Sequence, residues 1–349
     1  MNVLGIFRGF PGLGRIVAGV SIMEMLRDDF NCDINIISYL QGNIYLKNRG
    51  FKTQIEATAM DYSSIGLLPT NKMGSFIHKQ IKDLRPDLVI IDGEPLILHS
   101  LRLSYPKLKI VALLNPADVV NPKIEKECMD YFNAMYSLAD LAVIHGLRRV
   151  HPSNLYRDYV STGTVLRREI FKIKNQPSKN VYCVLGGGTV NVENSFFQST
   201  TQIATLCVNV ARLLPEYTFH VICSSSNIYD ALDGISYSNV ILHNKILEPS
   251  LMYSDAAFII TRSGRNTLSE LAYLGIPSIS FISGCTYRRT EQEENLKCLN
   301  SENIYKASID ITVSEFADLC KKVSNSKRTR NPDVCGNRVV VKEILKLLQ

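Results

Sequence analysis

A chain of 349 residues is longer than one hydrophobic core usually organises, so two domains are expected. Hydrophobic residues make up 46% and charged residues 21%, the composition of an ordinary folded protein, and no apolar run reaches the length of a membrane span. The formal charge of +6 is a mild excess, compatible with an anionic nucleotide, a membrane surface or nucleic acid and diagnostic of none. Nine cysteines run from Cys32 to Cys335, no two closer than Cys285 and Cys298, so zinc and dithiol spacings are excluded. Reduced thiols of a cytoplasmic protein are expected. The opening MNVLGIFRGF has no charged region ahead of an apolar stretch, so it reads as a first strand and not as a signal peptide.

Strand-like and helix-like segments then alternate, the pattern of parallel α/β layers. Strands are expected at Val3–Phe7, Ile34–Tyr39, Leu88–Ile91, Ile110–Leu114 and Leu141–Ile144, with helices at Ile16–Arg27 and Met73–Leu84. From about His145 to Lys179 the chain is basic and proline-punctuated and reads as an interdomain connection. The pattern restarts with a strand at Val181–Leu185, a turn at Gly186–Thr189 and a helix at Phe196–Leu213, then strands at Phe219–Ser224 and Val240–His243. A helix at Arg338–Leu348 closes the chain.

Several places carry residues suited to chemistry. The loop Gly9-Phe10-Pro11-Gly12-Leu13-Gly14-Arg15 follows the first strand and precedes a helix, where glycines let backbone approach a ligand. Its spacing is neither a dinucleotide fingerprint nor a phosphate loop, so a purely structural turn stays open. Asp92-Gly93-Glu94-Pro95 follows a strongly apolar strand. Either carboxylate could take a proton from a substrate hydroxyl, or serve as a helix cap. Asp118, after Asn115-Pro116, is a weaker candidate. The stretch Leu67–Lys82 mixes apolar and basic residues and reads as an amphipathic helix or a membrane-facing patch. The cluster Lys321, Lys322, Lys327, Arg328 and Arg330 reads as a solvated loop or an anion contact. Six histidines show no metal spacing, and no D-x-D motif exists.

The most informative segment is Ala257–Asn295, AFIITRSGRNTLSELAYLGIPSISFISGCTYRRTEQEEN. A buried strand, Ala257–Thr261, runs into the turn Arg262–Asn266 and a helix from Thr267 to Leu274, stopped by Gly275 and Pro277. A helix N-terminus at the carboxyl end of a strand suits a phosphate, and Glu270 one turn further could accept hydrogen bonds from ribose hydroxyls. Arg262 and Arg265 add positive charge beside the helix start.

The pattern S-G-x-x-T-x-x-E-x-x-x-x-G-x-P followed by E-Q-x-x-N resembles the donor-nucleotide site of MurG-like glycosyltransferases, the family 28 group of UDP-N-acetylglucosamine transferases. The resemblance implies a GT-B fold, α/β with two doubly wound Rossmann-like domains facing a cleft. By it, residues 1–158 bind the acceptor, residues 159–337 bind the nucleotide sugar, and helix 338–349 returns to the first domain. It assigns the donor to Arg167, Gly187, Gly188, Thr189, Ile246, Ser263, Gly264, Thr267, Glu270, Glu291, Gln292 and Asn295. Gly12, Gly14 and Arg15 match the family's acceptor loop, with Arg15 where the family has His. Arginine cannot act as a base near neutral pH, but it could hold a phosphate or carboxylate. Arg167, in Thr162–Arg167, stands in a segment similar to the family's T-G-N-P-V-R and would reach a donor phosphate.

The implied activity is inverting, metal-independent transfer from a nucleotide sugar, a UDP-sugar first, to an acceptor hydroxyl or amine, with Asp92 or Glu94 as base. No cofactor is implied beyond the nucleotide-sugar co-substrate. Acceptors left open are a lipid-linked sugar, a small natural product, a polysaccharide and a modified DNA base. The expected location is cytoplasmic, with peripheral contact at the inner membrane face. The alternatives are a nucleotide-sugar hydrolase or epimerase on the same fold, and a non-catalytic donor-binding subunit.

Overall fold

A computed structural model describes the chain except residues 11, 54–67, 186–193, 224, 233, 235–236, 245–246, 284–285 and 300; for residues 68–75, 194–196 and 286–288 it describes backbone only. The described residues form two compact units, Met1–Arg168 with Gly336–Gln349, and Glu169–Cys335.

The first unit is built on β1 (Asn2–Phe7), β2 (Asp33–Ile37), β3 (Leu88–Asp92), β4 (Lys109–Leu114), β5 (Leu141–His145) and β6 (Tyr159–Thr162). They form one sheet in the order β2-β1-β3-β4-β5-β6, every neighbouring pair parallel. The central strands LVIID and LAVIH are buried along their whole length. Covering both faces of a parallel sheet demands such unbroken apolar runs. On one face Val3, Phe7 and Ile90 pack with Ile16, Val20 and Met23 of helix Gly14–Phe30 and with Val340 and Ile344 of the last helix, Asn337–Leu348. On the other, Leu4, Ile6, Val89 and Ile91 meet Ile97, Leu98 and Leu101 of helix Pro95–Ser104.

The expected domain boundaries need correcting. Residue 159 opens β6, which pairs with β5 in the first sheet, so a break after 158 would split that sheet. Arg168 also belongs to the first unit, its guanidinium paired with Asp28 and Asp29 at 2.8 Å each. At the far end Asn337 is fully buried, accepting from the Leu166 N–H and donating to the Leu166 carbonyl, each at 2.8 Å. That amide clamp seats the last helix on the first unit.

The second unit holds β7 (Asn180–Val184), β8 (Thr218–Ile222), β9 (Val240–His243), β10 (Ala256–Arg262), β11 (Ser278–Phe281) and β12 (Ile304–Ala307). Their order is β12-β11-β10-β7-β8-β9, again all parallel. Phe219, Phe258 and Phe281 are wholly buried on one face, against helix Asn194–Ala211 and against Phe316 of helix Val313–Ser324. In each sheet the chain lays strands outward on one side, then returns to build the other. The reversal lies between β1 and β3 in the first unit and between β7 and β10 in the second. Loops leaving the carboxyl ends of such a pair depart to opposite faces, which is where ligands bind in open α/β sheets.

On the β8–β9 side of the second sheet, His220 Nδ1 and His243 Nε2 lie 3.0 Å apart with ring planes 19° from parallel. One proton serves that bond. Burial first, and then the facing His243, lowers the His220 pKa below the usual imidazole value; burial lowers that of His243. A depressed histidine pKa means the unfolded chain binds more protons below about pH 6.5, so this pair removes stability as pH falls through that value. The thermal midpoint is expected to drop between about pH 7.5 and pH 5.5, and His220→Phe, which keeps a ring stacked on Tyr182, to flatten the drop. An unchanged slope in melting curves of the variant would show that the pair is not the sensitive group.

Candidate functional site

At the reversal point of the second sheet, β10 ends at Arg262 and the chain turns through Ser263 and Gly264 into helix Arg265–Leu274. The helix begins two residues before the expected Thr267. Gly264 is its N-cap, with extended backbone and no side-chain cap, and the first turn carries no acidic residue. Gly264 is exposed, and a Cβ there would meet nothing within 4 Å. Gly264 thus brings no side chain of its own to the positive end of the helix and leaves room beside it, an arrangement suited to an anion. Thr267 is half-buried one turn in. Gly275 ends the helix with φ of 71°, a left-handed turn that suits glycine.

Ser263 does not take the ligand-facing role expected of it. It is fully buried, its hydroxyl 2.7 Å from Ser280 Oγ and 3.0 Å from the Phe281 carbonyl, so it joins the turn to β11. Gln292, on helix Thr286–Cys298, is likewise turned inward. Its Oε1 accepts from the Ser283 N–H at 2.7 Å and its Nε2 donates to the Ser283 carbonyl at 2.8 Å. Asn295, one turn on, donates to the Ser263 carbonyl at 3.4 Å. Both amides brace the loops that follow β10 and β11, where a contact with the donor sugar was expected. Glu291 on the same helix is half-buried.

Glu270 is not a solvated helix carboxylate: it has 0% exposure and accepts a hydrogen bond from the Tyr253 hydroxyl at 3.1 Å. A nucleotide can reach it only by taking over space that protein atoms now fill. Arg262 donates to Thr200 Oγ1 at 3.2 Å, and Arg265 is buried with its Nε 3.2 Å from Asn266 Oδ1. Gly187, Gly188, Thr189 and Ile246 lie outside the described residues.

In the first unit the carboxyl ends of β1 and β3 carry a different construction. Arg15, at the start of helix Gly14–Phe30, donates to Asp92 at 2.7 Å and to both oxygens of Asp118 at 2.8 and 3.0 Å. Burial opposes its charge, but Asp118 and Asp92 together hold its pKa well above the usual guanidinium value. Arg15 is thus paired with two carboxylates of its own unit. The Asp92 side chain is 1% exposed and ion-paired with Arg15, surroundings that do not suit a base exchanging protons with a substrate. Asp118 sits in a capping box with Asn115. Glu94 is the N-cap position of helix Pro95–Ser104 without a side-chain cap bond; its Oε1 accepts from Tyr39 at 2.6 Å and Arg8 at 3.2 Å, with 10% of the side chain exposed. Gly14 is exposed and Gly12 half-buried in the loop before the helix.

Arg167 is half-buried and falls at the end of the first unit, where the resemblance had put it at the start of the nucleotide domain. Of the C-terminal cations, Arg328 donates to Asn175 and to the Ala256 and Ala257 carbonyls, and Lys322 lies over the Tyr305 ring at 5.3 Å. Arg328 is structural, and Lys322 stays exposed. Helix Leu68–Leu84 covers the expected amphipathic stretch, but its first side chains lie outside the described ones. Among the described residues no group of three His, Cys, Asp or Glu could hold a metal, and no helix is long and apolar enough to cross a membrane. Arg8, Tyr39 and Tyr253 went unnoticed in the sequence. Arg8 alone had a signal, its place directly after an apolar strand.

No protein-family model matches the chain. A curated relative, the UDP-N-acetylglucosamine–N-acetylmuramyl-(pentapeptide) pyrophosphoryl-undecaprenol N-acetylglucosamine transferase of Caldanaerobacter subterraneus, is 23% identical over 240 residues. That match takes in 67% of this chain but 64% of the relative, short of two thirds of its length. Among solved structures, MurG of Acinetobacter baumannii aligns with a TM-score of 0.59 at 15% identity, over 99% of each chain. The glycotransferase of kitacinnamycin aligns at 0.65 and 12%, over 100% of this chain and 99% of its own. A UDP-GlcNAc 2-epimerase from Neisseria meningitidis aligns at 0.62 and 14%, over 99% of this chain and all of its own. The chain resembles MurG-like glycosyltransferases in sequence, and its fold is GT-B: two six-stranded, doubly wound parallel α/β units.

Removing the Arg15 guanidinium would leave Asp92 buried without its cation. Arg15→Ala is expected to destabilise the first unit by about 3 kcal/mol, the cost of breaking a buried pair. Urea unfolding followed by circular dichroism measures it; a loss under about 1 kcal/mol would mean that the two carboxylates are satisfied without Arg15.

Proposed function

We propose that the protein is a glycosyltransferase that moves a sugar from a UDP-sugar to an acceptor hydroxyl or amine. The observation that carries this reading is the S-G-x-x-T-x-x-E segment, folded as a helix start with glycine at its N-cap, at the carboxyl end of β10 and the reversal point of its sheet. The curated relative, an N-acetylglucosamine transferase named for its UDP-linked donor, supports the same donor.

In this reading the donor diphosphate lies against the N–H groups from Gly264 to Thr267, and Glu270 meets the ribose hydroxyls once the groups that now cover it give way. Gly187, Gly188, Thr189 and Ile246 complete the site by resemblance. The acceptor oxygen or nitrogen attacks the anomeric carbon as the bond to the diphosphate breaks, inverting that centre. Charge growing on the leaving diphosphate is met by the helix terminus, so the reaction draws on no metal. The first unit is assigned the acceptor, and Glu94 the proton, because its side chain keeps some access where that of Asp92 keeps 1%. A lipid-linked saccharide is the first acceptor to try, since the relative's name specifies a pyrophosphoryl-undecaprenol acceptor.

A second reading, nucleotide-sugar epimerisation with or without hydrolysis, is favoured by the match to a UDP-GlcNAc 2-epimerase bound to UDP-GlcNAc. Incubation with UDP-GlcNAc and no acceptor, followed by proton NMR, separates the two. A transferase leaves the donor intact, whereas an epimerase changes its sugar or releases it.

Saturating UDP is expected to raise the thermal midpoint of the second unit by about 5 °C, the effect of ligand at about one hundred times its Kd. GDP, ATP and NAD should do less, and Glu270→Gln should abolish most of the UDP shift. A shift with NAD or ATP alone would overturn the donor assignment.

A further inference from the structure

Glu270 is fully buried, and so is Tyr253, which bonds to it. Tyr253 has 1% exposure and is the largest wholly buried side chain among the described residues. It sits on helix Pro249–Asp255, which leads directly into β10, while Glu270 sits on the helix that leaves β10. The hydroxyl donates to Glu270 Oε2 at 3.1 Å, tying together the two helices that flank one strand. A buried carboxylate is costly unless donors satisfy it, and a donor fixed by a packed ring also fixes the direction of the carboxylate.

We infer that Tyr253 is a positioning residue for the donor site, holding the Glu270 carboxylate in the orientation that engages the ribose hydroxyls. The inference rests on the proposed donor reading. Tyr253 does not touch the nucleotide; it acts through Glu270. Nothing in the sequence motif announces it, because Tyr253 lies ten residues before Ser263 on a different helix.

The consequence is specific to the ribose. Removing the Tyr253 hydroxyl should weaken binding of nucleotides with ribose hydroxyls and spare those without. A purely structural role would weaken both alike. The probes are UDP and 2′,3′-dideoxy-UDP, with affinities measured by calorimetry on the full-length protein and on Tyr253→Phe, Glu270→Gln and the double variant. The wild type should prefer UDP by about tenfold or more, the worth of a hydrogen bond to a charged group. Tyr253→Phe should lose most of that preference while holding the dideoxy affinity within about twofold, and in the Glu270→Gln background it should change nothing further.

A preference retained in Tyr253→Phe overturns the inference and leaves the donor reading standing. Equal loss for both nucleotides also overturns it, in favour of a structural role. A wild type that binds UDP and dideoxy-UDP equally removes Glu270 from the ribose, and the inference with it. If Tyr253→Phe does not fold, Tyr253→Met supplies the same comparison with a flexible side chain that fits the space and carries no donor.

Discussion

The constraint on which the rest depends is the reversal of strand order in an all-parallel sheet. Parallel neighbours need a crossover for every connection, and a chain that builds outward must at some point return and build the other way. At that point two adjacent strands send their following segments to opposite faces, and their carboxyl ends are left uncovered. In the first unit the pair is β1 and β3, which deliver Arg8, Asp92 and Glu94. In the second it is β7 and β10, which deliver Leu185 and the Ser263–Gly264 turn.

The two units use that position in opposite ways. In the second, the groups proposed to face the donor are backbone, and the polar side chains around them look inward. Ser263, Gln292 and Asn295 spend their hydrogen bonds on Ser280, Phe281, Ser283 and the turn itself. Such bracing holds N–H groups in place before any ligand arrives, the condition for stabilising charge without reorganisation. In the first unit the same place is filled by side-chain charge, with Arg15 between Asp92 and Asp118 and Glu94 between Arg8 and Tyr39. Buried pairs of this sort add little net stability but fix one arrangement of the loops that carry them. A rigid backbone site suits a constant ligand, and a site made of side chains suits one that differs between related proteins.

Much of this was legible in the sequence, for definite reasons. The runs in β3, β5 and β10 are unbroken because both sheet faces are covered, so burial itself wrote the pattern. The helix start after Ser263 was marked by Gly264 before it and Gly275 after it. Short edge strands were not legible: β6 and β12 have four residues each and leave most of them partly exposed, so neither shows a period. Side-chain direction was not legible either. The spacing of Gln292 and Asn295 puts them on one helix face, but an amide that can grip a sugar can equally grip a backbone, and here Gln292 grips Ser283. Arg15 looked available for an anion because its two carboxylate partners are far away in the chain. The domain boundary slipped because the clamp between Asn337 and Leu166 joins residues that no local pattern connects.

The central claim is that the helix start at Gly264 holds a nucleoside diphosphate. The most direct measurement is a titration of glycine-labelled protein with UDP, followed through the backbone amide resonances of its 20 glycines. The account predicts that Gly264 shifts strongly and saturably, while Gly12 and Gly14 of the first unit do not respond. A saturable shift of Gly12 and Gly14 with Gly264 unmoved would contradict it, moving the nucleotide to the other unit.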